Sequence, residues 1–356
     1  MNFGIFSNGL RKHTTAAESM ATDIGEIVLA DQLGFRDAYI SEHHGEAAHA
    51  GRVDVLPVPE LLMCKAAALT KHIRMGSAVK LIHLQHPVDV AVQAAVTQHL
   101  VGKDRYIFGF GTGFANPAFS NSRGLAFDDR FERMMESLDL IEKCWNEEQP
   151  FDWHGKHWRG THILAIPKPA QNMQMAIASD SRELVKIAAE RGYIILSAFI
   201  ESPAKVRSRS KEYFEALRRA GKDVDASNVT VSRIVYISDS RQQAIEEMRS
   251  AVAFEVSIQA DRGFLRMLKD RFGLDIPNDE RAIDHLVDSG LYIVGTSGEV
   301  IDQLKRFYLD CGGFGTLLLV TGKDWATQEK RENSLRQFMS MVAPELRSFA
   351  AKHPVP

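Results

Sequence analysis

Phe35-Arg36-Asp37-Ala38-Tyr39-Ile40-Ser41-Glu42-His43-His44 is the stretch on which the fold turns. Residues 35–40 read as a buried strand, and a carboxylate and two adjacent imidazoles stand where that strand emerges. In barrels of parallel strands, polar side chains at strand C-terminal ends are where chemistry is usually done. Outward from it, short apolar runs alternate with amphipathic segments. Strands are expected at 3–7, 35–41, 73–82, 106–111, 174–178, 194–199, 229–237 and 315–320. Helices are expected between them, and the one over 16–33 has a capping box, Thr15-x-x-Glu18, with Gly34 just past its end. About eight strand–helix units predict an α/β chain closed into a single (β/α)8 TIM barrel over 1–356, not an open doubly wound sheet. Three stretches, 112–129, 147–173 and 253–297, fall outside the repeat and read as insertions shaping the C-terminal face.

Composition narrows the partners. With 45% hydrophobic and 25% charged residues the 356-residue chain carries enough apolar surface for a large core. A formal net charge of −3 gives no electrostatic reason to expect nucleic acid or an anionic membrane. The basic cluster 205–211 is interleaved with apolar residues and reads as a solvated helix face. Cys64, Cys144 and Cys311 show no metal or redox spacing, which suits a reducing cytoplasm. The start of the chain has no basic leader, and no apolar stretch reaches the ~20 residues of a membrane span, so a cytoplasmic protein is expected.

Chemistry-bearing candidates lie at strand ends. His43 and His44 alternate across theirs, so at most one of them faces the barrel axis and the other reads as a hydrogen-bonded packing residue. Gly109-Phe110-Gly111-Thr112-Gly113 follows a strand but lacks the spacing and the helix of a dinucleotide fingerprint. It reads instead as a strand end kept small for a flat ligand. Ala178-Ser179-Asp180-Ser181-Arg182 joins a strand to a helix, and its hydroxyls, amide N–H groups and guanidinium suit a phosphate monoester. Asp180 and Ser181 serve equally well as plain helix caps. Metal is the rival function, but hydrolase barrels offer His-x-His on one strand, and adjacent histidines point apart; no metal is expected, even with His83 and His86 nearby.

Glu42-His43-His44, Gly76-Ser77-Ala78-Val79, His86-Pro87-Val88 and Arg105-Tyr106-x-Phe108-Gly109, in that order, resemble the bacterial luciferase-like flavin monooxygenases. Ala188-Ala189-Glu190-Arg191-Gly192 and Val294-Gly295-Thr296 continue the likeness over nearly the whole chain. Pro59-Glu60-Leu61-Leu62 and Gly312-Gly313-x-Gly315-Thr316 are similar to the branch of limonene and diketocamphane monooxygenases. The resemblance implies His43 beside the reactive flavin edge and a cis peptide between Ala78 and Val79 behind the ring. It also implies FMN contacts at Gly111, Thr112, Ser179, Asp180, Ser181 and Arg182. Where luciferase has a Cys and an Arg this chain has Gly111 and Thr112, and where it has a Trp this chain has Ala198, which argues against light emission.

The implied activity is a two-component monooxygenase that takes reduced FMN (FMNH2) and O2 through a flavin 4a-(hydro)peroxide. Its substrate would be a small apolar compound: a cyclic ketone in a Baeyer–Villiger insertion, a terpene or an aldehyde. No nicotinamide motif is present, so a separate NAD(P)H:flavin reductase is expected. A homodimer is implied too. Residues 253–290, with Phe254, Phe264 and Leu265, are the expected lid. His43, with an unperturbed imidazole pKa near ~6.5, is suited to shuttle the proton. A deazaflavin-dependent hydride transfer, a metal-dependent hydrolase and a non-catalytic flavin-binding protein stand as alternatives.

Overall fold

Eight parallel strands close on themselves. The computed structural model describes residues 1–11, 14–44, 56–113, 117–179, 181–260 and 264–355. Its strands are β1 (Asn2–Leu10), β2 (Asp37–Ile40), β3 (Arg74–Ser77), β4 (Tyr106–Phe110), β5 (Phe151–His154), β6 (Arg159–Ile163), β7 (Gln174–Ala178), β8 (Ile194–Leu196), β9 (Val229–Ile237), β10 (Tyr292–Gly295) and β11 (Thr316–Lys323). The ring runs β1-β2-β3-β4-β7-β8-β9-β11 and back to β1, so the predicted (β/α)8 barrel forms. Register is carried by pairs such as Ser7 with Ile40, Ile40 with Ser77 and Gly76 with Ile107.

Side-chain alternation divides the strands between two cores. Phe3, Ile5, Ala38, Ile40, Leu317 and Leu319 face the surrounding helices. Tyr39, Ile107, Ala176, Ile194, Leu196 and Leu318 fill the barrel interior. Each such fully buried large side chain contributes about 1.5–3 kcal/mol, which makes the interior a packed plug, not a pore. The N-terminal end of the barrel is sealed by charge. Arg74 Nε donates to Asp37 Oδ1 at 2.6 Å, and Arg36 Nη2 reaches both Asp37 Oδ2 and Thr316 Oγ1.

Local signals in the sequence hold. Thr15 and Glu18 close a reciprocal capping box on helix Ala16–Leu33, and Gly34 ends it at φ 81°. Pro87 opens helix Pro87–Val101 and Pro203 opens helix Pro203–Arg219.

Two of the expected insertions are more structured than the sequence suggests. Residues 147–173 form the antiparallel β5–β6 hairpin, packed along helix Arg130–Asn146. Glu136 on that helix accepts from Trp153 Nε1 and from the backbone N–H groups of His157 and Trp158. Within 253–297, helix Arg241–Ala260 runs through the start and helices Phe264–Phe272 and Ala282–Asp288 follow. The stretch then ends in β10, which pairs with the last four residues of β9. The apolar faces of these helices bury Met248, Val252, Val256, Ile283 and Leu286 against Ile234, Tyr236 and Val294, and that burial orders the segment.

Candidate functional site

The end of β2 carries its polar residues on two sides. Tyr39 points inward and Ile40 outward, and the strand ends there; alternation continued over residues 41–44 would set His43 toward the axis and Glu42 and His44 on the other side. Glu42 and His44 do share a side: His44 Nε2 lies 2.7 Å from Glu42 Oε1. Behind them Lys80, fully buried, sits 3.6 Å from Glu42 Oε2 and 3.2 Å from Glu60 Oε2 on helix Pro59–Ala67. Burial pushes the Glu60 carboxyl up, against the opposing pull of Lys80. From the loop after helix Pro117–Asn121, Arg123 Nη2 reaches His44 Nδ1 at 3.1 Å. His43 itself is half-buried, and its backbone N–H donates to Leu56 O at 3.0 Å.

Beside it the ends of β3 and β4 make a shelf of small residues. The Ala78–Val79 peptide is cis, as the resemblance implies. A Cβ on Gly109 would lie 1.8 Å from the Ser77 carbonyl oxygen, so only glycine admits the β3 backbone at that approach. A Cβ on Gly111 would lie 2.8 Å from Val79 Cγ2 and 3.1 Å from Ala178 O. The space these glycines leave is therefore taken by the neighbouring strand and not by a ligand, which corrects the reading of the glycine run. What faces the opening is half-buried: Ala78, Thr112, Ala178, Ser179 and Ser181.

The end of β7 is a loop held from below. Arg209 on helix Pro203–Arg219 pairs bidentately with Glu201, at 2.9 and 2.6 Å, and donates to Ser179 O at 3.3 Å and to Ser197 Oγ. Ser181 N donates to Ser179 Oγ at 3.0 Å. Helix Arg182–Arg191 then starts without a side-chain cap, so its first N–H groups are not spent on Ser181. Asp180 lies outside the described residues. The Arg182 guanidinium, expected to converge on this loop, is 85% exposed and turns to Glu212 Oε2 at 3.7 Å.

Apolar walls surround the opening. Phe6 packs against the barrel-interior cluster, as do Phe119 and Leu125, and against the cluster under helix Arg241–Ala260, as do Ala198, Phe199 and Leu265. Lys323 at the end of β11 forms a buried ion pair with Glu255 and anchors helix Arg241–Ala260 to the barrel rim. Phe254 on that helix is half-buried, and the side chain of Phe264 lies outside the described residues. His83, just past β3, is buried and neutral, pushed down to about 4 by burial and then by Arg133, Arg130 and Arg123.

Ala78, Val79, Gly111, Thr112, Ser179 and Ser181 thus follow the neighbouring strands β3, β4 and β7, His43 follows the adjoining β2, and Arg182 turns to Glu212. Sequence reading missed Arg209, which it assigned to a solvated face. That residue falls three after Val206 and four before Tyr213, the spacing of the buried stripe, and is 6% exposed. Lys80 carried a signal as well, being a lone lysine within an apolar run. Arg123 carried none. A separate cleft of about 600 Å³ lies between helices Arg182–Arg191 and Pro203–Arg219. Its charges pair with one another, Arg182 with Glu212 and Arg219 with Glu215, and it is remote from the strand ends in its lining. Among the described residues no three His, Cys, Asp or Glu side chains gather as a metal set, and no helix is long and apolar enough to cross a membrane.

Known proteins share this arrangement. The family model of the luciferase-like monooxygenases matches residues 1–313. Limonene 1,2-monooxygenase of Rhodococcus erythropolis is 27% identical over 354 residues, covering 97% of this chain and 86% of that protein. An F420-dependent glucose-6-phosphate dehydrogenase of Amycolatopsis mediterranei is 25% identical over 329 residues, covering 90% and 93%. The oxygenating constituent of 3,6-diketocamphane monooxygenase from Pseudomonas putida is a type II Baeyer–Villiger monooxygenase solved in complex with FMN. It superposes with a TM-score of 0.80 at 26% identity, over 97% of this chain and 98% of that one. With the family match running over residues 1–313, through every barrel strand but β11, the chain belongs to the luciferase-like monooxygenase family.

Proposed function

We propose that the protein is the oxygenating component of a two-component, FMNH2-dependent monooxygenase acting on a small apolar substrate. What supports this reading is the placing of three features just past neighbouring strands: His43 after β2, Ala78 and Val79 after β3, and the helix without a side-chain cap after Ser181 beyond β7. A flavin mononucleotide fits that set. Its phosphate suits the N-terminus of helix Arg182–Arg191 with the Ser179 and Ser181 hydroxyls, and its flat ring suits residues no larger than Ala and Val. Bound reduced FMN would supply the two electrons with which O2 is split, one atom entering the substrate and the other leaving as water.

The chain's own residues do the rest. His43 holds a proton at the ring edge and moves it during oxygen transfer. His44, bonded at both nitrogens, is committed to structure. Arg209 and Glu201 hold the phosphate loop in shape. Phe6, Phe119, Leu125, Phe199 and Leu265 exclude water and favour a cyclic ketone, a terpene or an aldehyde over a polar substrate. The reduced flavin comes from a separate NAD(P)H:flavin reductase. Leu61, Leu69 and Leu100, 71%, 59% and 63% exposed on or beside the neighbouring helices Pro59–Ala67 and Pro87–Val101, support a homodimer.

A second reading is kept because F420 enzymes are among the relatives: hydride transfer with a deazaflavin and no oxygen. One experiment separates the two. The protein is mixed with reduced FMN, ¹⁸O2 and a panel of cyclic ketones and terpenes, and in parallel with reduced F420. Oxygen uptake with one ¹⁸O atom per product supports the oxygenase. Substrate reduction by reduced F420, with no oxygen uptake on FMNH2, overturns it in favour of the dehydrogenase.

A further inference from the structure

We infer that Arg123 is a positioning residue: with Glu42 it locks His44 in a single tautomer, as a fixed brace behind His43. A guanidinium has donors and no acceptor. Its Nη2, 3.1 Å from His44 Nδ1, therefore requires a lone pair on Nδ1. The one proton of the neutral ring then sits on Nε2 and is donated to Glu42 Oε1 at 2.7 Å. Neither nitrogen can change its role without breaking a contact to a charged group.

The brace spans four elements. Glu42 accepts from Leu81 N at 3.4 Å through its second oxygen and faces Lys80, which in turn reaches Glu60. Arg123 is tied into its own loop by bonds to Phe119 O at 2.9 Å and Ser122 Oγ at 3.0 Å, and the His44 ring meets Phe119 edge-on at 6.0 Å. Among the described residues Lys80 lies between the carboxylates of Glu42 and Glu60, and Arg123 stands at the other end of the chain against His44. The same contact joins the Phe119–Leu125 wall to the strand end, so the substrate wall and the imidazole at position 43 are set by one brace. That last step rests on the oxygenase reading, in which His43 serves the flavin; the tautomer does not.

The test begins on the protein alone. With ¹⁵N-labelled histidine at neutral pH, the ring resonances of His44, assigned by their loss in His44→Gln, are expected to show the Nε2–H pattern. In Arg123→Leu they shift toward Nδ1–H or a mixture, and in Arg123→Lys, which keeps a cationic donor, the Nε2–H pattern returns. Arg123 is exposed, so its replacement leaves the core intact. With reduced FMN and a converted substrate, Arg123→Leu is expected to lose about tenfold in product formed per O2 consumed, with hydrogen peroxide making up the difference and FMN affinity unchanged. Arg123→Lys recovers most of that coupling. An Nδ1–H pattern in the wild type, or an Arg123→Leu variant with unaltered tautomer and coupling, overturns the brace. A wild type that shows the Nε2–H pattern but makes no product supports the brace and counts against the flavin reading alone.

Discussion

The ends of β2 and β7 both rest on buried charge, and they use it in opposite ways. At β7 one guanidinium and one carboxylate, Arg209 and Glu201, satisfy each other with two bonds, and Arg209 reaches on to the Ser179 carbonyl and the Ser197 hydroxyl. At β2 the charges form a chain of Glu60, Lys80, Glu42, His44 and Arg123 that crosses from a helix to a loop. A closed pair makes a rigid support and leaves its N–H groups for a ligand. An open chain fixes the orientation of side chains, which is what an imidazole serving a reaction requires. The division predicts that binding fails at one end and chemistry at the other.

Replacing His43 with Ala is expected to give the largest effect. Product formation falls about 10²–10⁴-fold, the usual share of a general acid–base group, while FMN affinity measured by fluorescence quenching stays within about twofold. A parallel loss of affinity would erase the distinction between the two ends. Arg209→Leu is the counterpart at β7. Glu201 is left buried without its bidentate partner, with only Lys205 Nζ at 4.0 Å, and unfolding in urea should show a loss of up to about 3–5 kcal/mol. The double variant Arg209→Leu/Glu201→Leu should regain most of that stability without regaining FMN affinity.

His83 sharpens the comparison on the cation-rich side. Its folded pKa of about 4 lies below the usual 6.5, so the unfolded chain binds the extra proton between those values. The contribution of His83 to stability is therefore full above about pH 6.5 and is lost as pH drops toward about 4, by roughly 3 kcal/mol in total. His83→Gln should flatten that acid slope in pH-dependent urea titrations. Arg182→Gln should do least. Its exposed contact with Glu212 is worth at most about 1 kcal/mol, and FMN affinity should change less than about threefold. A large loss there would restore the guanidinium to the phosphate loop.

Much of the fold was legible because it is written locally. The capping box at Thr15 and Glu18, the helix-opening prolines and the period-two runs each declare an element without reference to any other. β10 was not legible, since four residues pairing with the end of β9 look like loop until the helices before them are seen to bury an apolar face. At the candidate site the cis Ala78–Val79 peptide was legible, from the resemblance alone. Contacts between elements were not. Arg209 meets a loop 30 residues away and Arg123 meets His44 across 79 residues, and no spacing rule encodes either. The glycines at 109 and 111 were seen but credited to the ligand, because a sequence does not show which neighbour fills the space a missing Cβ leaves.

A crystal structure of the protein soaked with FMN tests the assignment of this opening most directly. The account predicts the phosphate on the Ser179–Ser181 turn, the ring against Ala78 and Val79, and the His43 imidazole within hydrogen-bond reach, about 3 Å, of the ring edge. FMN seated in the outer cleft beside Arg182, or a ring at the strand ends with His43 turned away from it, would contradict the account.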